Sequence, residues 1–189
     1  MTHRVYNILS LLLLMSLVML VSSGAVTSLP VLAAVPQGDY QMVSEGPGDF
    51  KGGCFSNTVL TRRTVTIKSY DKSRKGIFTS PVIPLPNPAL QVTPSWNISG
   101  GQDDGWLLQL QVVNDEKEAS PWFYFGSGGT HAFKTEKVTE CSWAKISGDT
   151  LVLTKPAASV RYRVTMFGTR SNPSFKGFSM SLKITPPAK

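Results

Sequence analysis

Nucleophilic catalysis by a cysteine needs a thiolate, an imidazole to take its proton, and a third group to orient the imidazole. The sequence has two cysteines, Cys54 in "GGCFSN" and Cys141 in "TECSWA", and two histidines, His3 and His131, of which His3 lies in the N-terminal stretch. No Asn or Asp is evidently placed to complete the set. A disulfide between Cys54 and Cys141, the pairing expected of an exported chain, would also remove the nucleophile. Two buried free thiols are the alternative. The chain is expected not to be an enzyme by itself. Oxygen ligands of the kind calcium takes occur in "SGGQDDGW", at Asp103 and Asp104, and in "NDEKE", at Asp115 and Glu116. The same residue types are ordinary turn formers. That reading is preferred, with a structural calcium kept only as a weaker expectation at Asp103 and Asp104. No other cofactor is expected, because no phosphate loop, zinc spacing or dinucleotide fingerprint appears.

Binding chemistry is concentrated in "SPWFYFGSGG", where Trp122, Phe123, Tyr124 and Phe125 stand in a row between a proline and a glycine cluster. In an extended strand these side chains alternate between faces. Phe has no polar atom, so Phe123 and Phe125 are expected inward. Trp and Tyr carry a donor that wants water or a partner. Trp122 and Tyr124 are therefore expected nearer the surface, as a platform for a sugar ring or a flat peptide group. Arg161 and Arg163 project from the outward side of "VRYRVTMFG". Arg161 is the candidate partner of that platform for an acidic glycan or a cell-wall carboxylate.

Strands have to position these residues. "TVTIKSY" alternates with Val65 and Ile67 on one face. "GIFTSPVI" and "LQVTPSWNI" follow, broken by "PLPNP". "WLLQLQVV" puts Trp106, Leu108, Leu110 and Val112 together. "DTLVLTKP" pairs Leu151 with Leu153. "VRYRVTMFG" aligns Val160, Tyr162, Val164 and Met166, and "FKGFSMSLKI" aligns Phe178, Met180, Leu182 and Ile184. Short runs of period two separated by turn signals predict an all-β protein of antiparallel sheets with one solvated face. The expected architecture is an antiparallel β-sandwich, a jelly roll of the galactose-binding-like kind.

The N-terminus reads as a targeting segment. "MTHRVYNILSLLLLMSLVMLVSSGAV" has a basic start at Arg4 and then an apolar run at 8–21. Such a run, of about 14 residues, is short for a spanning helix and suited to secretion. Residues 1–34 are read as signal peptide and processing region, with cleavage between 25 and 34. Residues 35–49 are read as a leader, 50–185 as the sandwich, and 186–189 as a tail. The expected location is secreted, periplasmic or cell-surface, with membrane contact only through an uncleaved N-terminal segment. The formal net charge is +7 over 189 residues. Because the charges are scattered and the chain is read as exported, nucleic acid is not expected as a partner. The single sequon, at Asn97 to Ser99, is taken as chance.

"KGIFTSPVI", "PSWNIS", "GWLLQLQV", "SPWFYFG", "GDTLVLTKPAASVRYRVTMFG" and "PSFKGFSMSL" occur in an order that resembles the β-sandwich accompanying bacterial papain-like cysteine peptidases of the bacteriocin-leader-processing type (peptidase family C thirty-nine). The resemblance spans about 50–184. It implies a galactose-binding-like sandwich beside a catalytic domain that carries the Cys and His. The sequence runs only to Lys189, so the resemblance implies the module without its enzyme, and no catalytic residue is carried over. It also places an arginine at Arg163, for which a structural role is expected. Two functions follow as expectations. One is a secreted non-catalytic binding module for a cell-surface glycan, a cell-wall polymer or a partner protein. The other is an accessory domain working with a papain-like cysteine peptidase encoded on another chain.

Overall fold

A computed structural model describes residues 40–68, 74–101, 103–130, 133–169 and 171–184, all within the unit Gly38–Lys189. The expected signal peptide, His131 and the tail lie outside the described residues. The described residues form twelve strands and one short 3-10 helix, Asp49–Gly52. The strands are β1 (Tyr40–Glu45), β2 (Cys54–Ser56), β3 (Thr58–Leu60), β4 (Val65–Ile67), β5 (Lys75–Thr79), β6 (Ile83–Ser99), β7 (Gly105–Asn114), β8 (Phe123–Gly129), β9 (Glu140–Cys141), β10 (Ala144–Ser147), β11 (Thr150–Phe167) and β12 (Ser174–Ile184).

Period-two alternation dictates the layers. Leu108, Leu110 and Val112 on β7 are wholly buried, as are Val160, Tyr162, Val164 and Met166 on β11 and Met180 and Leu182 on β12. Every pairing among the described strands is antiparallel. The result is the expected antiparallel β-sandwich. Long β11 runs through both layers. One edge of β11 pairs with β5 and then β6; the other pairs with β7 and then β10. Register shifts at Ala157 and Ser159 bend it between the layers. β2, β5, the C-terminal half of β11, β7 and β8 form the front layer. β6, β12, β1, β4 and β3 extend the back layer. β1 falls in the stretch read as a leader, and it pairs along β12 from Tyr40↔Lys183 to Glu45↔Phe178.

A Ser-Pro pair interrupts the pairing twice and is satisfied the same way each time. Proline cannot donate to a ladder. Ser80 N donates to Tyr162 O (2.9 Å) while Ser80 Oγ accepts from Tyr162 N (3.0 Å) and donates to Pro81 O (2.8 Å). Ser120 does the same with Val112: N to O at 2.9 Å, Oγ from Val112 N at 3.0 Å, and Oγ to Pro121 O at 2.8 Å. Both serines are buried. Ser120→Ala leaves the Val112 N–H without an acceptor. The expected cost is about 1–3 kcal/mol in chemical denaturation, and Ser120→Thr is expected to recover part of it.

The core is aromatic at one end. Tyr162 stacks on Phe178 (4.1 Å between centroids) and lies near Phe78 and Phe175. Its hydroxyl donates to Glu45 Oε2 at 2.8 Å, which ties β1 to β11. Burial pushes the Glu45 carboxyl above its ordinary 4.5, with the Tyr162 hydrogen bond opposing and Asp49 adding to the rise. The Tyr162 phenol, also raised by burial and by Glu45, stays a donor. The native state therefore holds the Glu45 proton more tightly than the unfolded chain does. This contribution to stability is present below pH 4.5 and declines as pH rises through the raised value. Glu45→Gln keeps an acceptor and removes the titration. The expected result is a flatter dependence of Tm on pH across that window than in the wild type.

Candidate functional site

With Leu108, Leu110, Phe123, Tyr162 and Val164 directed into the core, their neighbours on the front layer face outward. Register places Thr79, Arg163, Gln109 and Tyr124 in one row across β5, β11, β7 and β8, and Ile77, Thr165, Leu107 and Ser127 in the next. Arg161 pairs with Gln111 on the same face. The segment 133–138 lies against this face as a strap, held by Tyr124 N donating to Val138 O at 2.9 Å. Its cover explains why Leu107, Gln109 and Thr165 are buried although they point away from the core. Between strap and sheet is a groove of about 490 Å³. Ile77, Leu107 and Phe133 are its apolar lining. Lys75, Lys134 and Arg163 bring charge, and Gln109, Thr135 and Thr165 bring amide and hydroxyl groups.

Arg163 is fixed in place. Its Nε and Nη2 donate to Gln109 Oε1 at 3.1 and 2.7 Å. Its guanidinium lies 4.5 Å from the Trp122 ring centroid, a cation–π geometry. Burial pulls Arg163 below its ordinary value, yet a guanidinium starts so high that it stays charged. Tyr124 carries a cation as well: Lys137 Nζ stands 5.1 Å from its ring, and its hydroxyl shares a 2.8 Å hydrogen bond with Ser127 Oγ.

The sequence-derived candidates Trp122, Tyr124 and Arg161 thus share one outward face. Arg163, assigned only a structural role from the sequence, is the arginine on Trp122. β7 lies between β11 and β8, so reach decides contact, and Arg163 reaches where Arg161 does not. Arg161 Nε is buried without a partner among the described residues. Phe123 is fully buried as expected, but Phe125, also expected inward, is only half-buried like Trp122 and Tyr124, packing against the core without entering it. The alternation breaks at Phe125, because Leu108 opposes Gly126 while Gln109 opposes Tyr124, leaving Phe125 as the extra residue of a bulge. Beyond it, Gly128 leaves room for an indole: an added Cβ would lie 2.6 Å from Trp106 Nε1. Trp106 in turn meets Trp96 edge to face at 5.8 Å.

Other candidates resolve differently. The Asp104 carboxylate is taken by protein donors: Oδ2 accepts from Gly101 N (2.6 Å) and Ser171 Oγ (2.5 Å), and Oδ1 from Thr169 N (3.1 Å). Asp103 is exposed. Asp104 is a loop tie, and no group of three or more His, Cys, Asp or Glu gathers among the described residues. Glu116 bonds Lys155 at 2.8 Å. The expected disulfide is not made: Cys54 and Cys141 are both free. Cys54 on β2 opposes Thr79, whose β11 partner is Arg163. Cys141 opposes Ala144, whose β11 partner is Leu153. Those partners are separated by more than half of β11, well past the span of about 7 Å that a disulfide bridges.

Gln109, Lys75 and the strap residues were not singled out from sequence. Gln109 carried the outward signal of its strand, but nothing in "THAFKTEKV" marks a segment that lies back over a sheet.

No curated protein matches the sequence. A solved structure of TmCBM61 in complex with beta-1,4-galactotriose is similar at 11% identity and a TM-score of 0.32, over 75% of this chain and 86% of that one. The family model described as Peptidase C39 N-terminal domain matches residues 46–181, from just after β1 through most of β12. The chain belongs to the peptidase C39 N-terminal domain family.

Proposed function

We propose that the chain is an exported, non-catalytic binding module that takes its ligand on the outward face of β5, β11, β7 and β8. The observation that carries this reading is the groove under the strap. An arginine already fixed by an amide and an indole stands there beside an apolar floor and hydroxyl groups. Polar groups preset around a partly apolar concavity are what a binding site needs, because less has to be ordered when the ligand arrives. Export is supported by the basic start and apolar run at 8–21. The test is retention of the purified protein on an array of polysaccharides and on bacterial cell wall, in parallel with peptide-hydrolysis assays. Retention without hydrolysis is expected; turnover of a peptide substrate would overturn it.

Family membership favours a second reading, in which the module works beside a papain-like cysteine peptidase on another chain. Co-purification with such a peptidase, with a change in its activity, is the result expected of that role.

A further inference from the structure

Arg163 is prepared before a ligand arrives, and its donors are not used up. A guanidinium has five N–H groups; two go to Gln109 Oε1, leaving three with no acceptor among the described residues. Trp122 holds the plane of the group from one side. Lys75 and Lys134 line the same groove, and no described residue lining it is acidic. Glu136, on the strap, is exposed and lies outside the lining. A planar fork of donors in a cationic groove matches a carboxylate, which accepts two parallel N–H bonds.

The rest of the groove restricts what carries that carboxylate. Ile77 and Leu107 give an apolar floor, Phe133 adds an apolar wall from the strap, and Thr135 and Thr165 give hydroxyls beside them. The apolar C–H face of a sugar ring fits such a floor and its hydroxyls fit such a rim. A peptide that binds as an added strand needs a sheet edge with unpaired backbone groups. The groove lies on the face of the sheet, where β11 is paired on both edges.

Resting on the reading of this face as the ligand site, the geometry points to a carboxylate-bearing polysaccharide as the ligand, with its carboxylate received by the remaining donors of Arg163. Gln109 and Trp122 are positioning residues for that arginine.

The full chain is tested by affinity electrophoresis against polygalacturonate, the same polymer fully methyl-esterified, and poly-L-glutamate. Circular dichroism and melting confirm the fold of each variant. Arg163→Lys keeps the net charge and loses the fork. Arg62→Gln removes a charge from an exposed turn elsewhere. Polygalacturonate is expected to be retained and its methyl ester not. Arg163→Lys is expected to weaken retention about tenfold or more, and Arg62→Gln to leave it unchanged. Equal retention of the ester overturns the carboxylate assignment while leaving the binding module standing. Losses that follow charge alone, equal in Arg62→Gln and absent in Arg163→Lys, overturn it as general attraction of a basic protein to polyanions. Tighter, Arg163-dependent retention of poly-L-glutamate replaces the polysaccharide with a peptide. No retention of any polymer also overturns the inference, and the binding-module reading is then decided by the array and cell-wall experiment alone.

Discussion

Gly129→Ala is expected to destabilise the protein by about 3 kcal/mol or more, the sum of backbone strain and a clash that side-chain motion cannot relieve. Gly129 has φ +84, and a Cβ there would lie 1.8 Å from the backbone oxygen of Asp104. That oxygen also accepts from Thr130 N at 3.1 Å, so it cannot withdraw without breaking the end of the β7–β8 pairing. Asp104 anchors Gly101, Thr169 and Ser171 through its carboxylate, and displacing it loosens two loops at once. Gly148→Ala isolates the strain from the clash. Its φ is +63 and nothing lies within 4 Å of the added carbon, so only about 1 kcal/mol is expected. Denaturant titration of the two variants measures the difference; equal losses would mean that the Asp104 contact does not constrain the fold.

Trp122→Ala is expected to weaken ligand binding by about 1–3 kcal/mol, the range for losing a stacking aromatic, with the fold retained. Trp122 is half-buried immediately before β8 and outside the core, so its removal opens no internal cavity. What it takes away is the face on which Arg163 rests. Released from that face, the guanidinium regains rotamer freedom that binding must then remove. Trp122→Phe keeps a ring under the cation and should recover part of the affinity. Isothermal titration with a polysaccharide retained on the array reads both variants. Unfolding of Trp122→Ala, or unchanged affinity in it, would count against a role for the indole at the site.

The layered core was legible because burial leaves a period-two record. Every β11 residue expected inward, from Val160 to Met166, is wholly buried. The alternation also told which residues share the outward face, since Trp122, Tyr124 and Arg161 do. It did not tell which arginine meets the indole, because that depends on side-chain reach across an intervening strand. Nor did it reveal the bulge at Phe125 or the strap. Both are tertiary: one is a register shift between partners, the other a covering segment without periodicity. The repeated Ser-Pro device was visible in "TSPVI" and "ASPWF", but its function appears only when the strand opposite is known. The disulfide failed as an expectation because two cysteines in a chain read as exported fix no distance, whereas the pairings that link β2 and β9 to β11 through β5 and β10 do.

The proposed seat of the ligand is the front face beneath the strap. The direct measurement is a series of 1H–15N spectra of the full chain as a soluble polysaccharide retained on the array is added. Saturable changes are expected at the Trp122 indole N–H, the Gln109 side-chain amide and the backbone of 133–135. A second concavity, of about 230 Å³, lies by Trp96, Asn97 and Ser179. Changes gathered there, with the Gln109 and Trp122 signals unmoved, would contradict it.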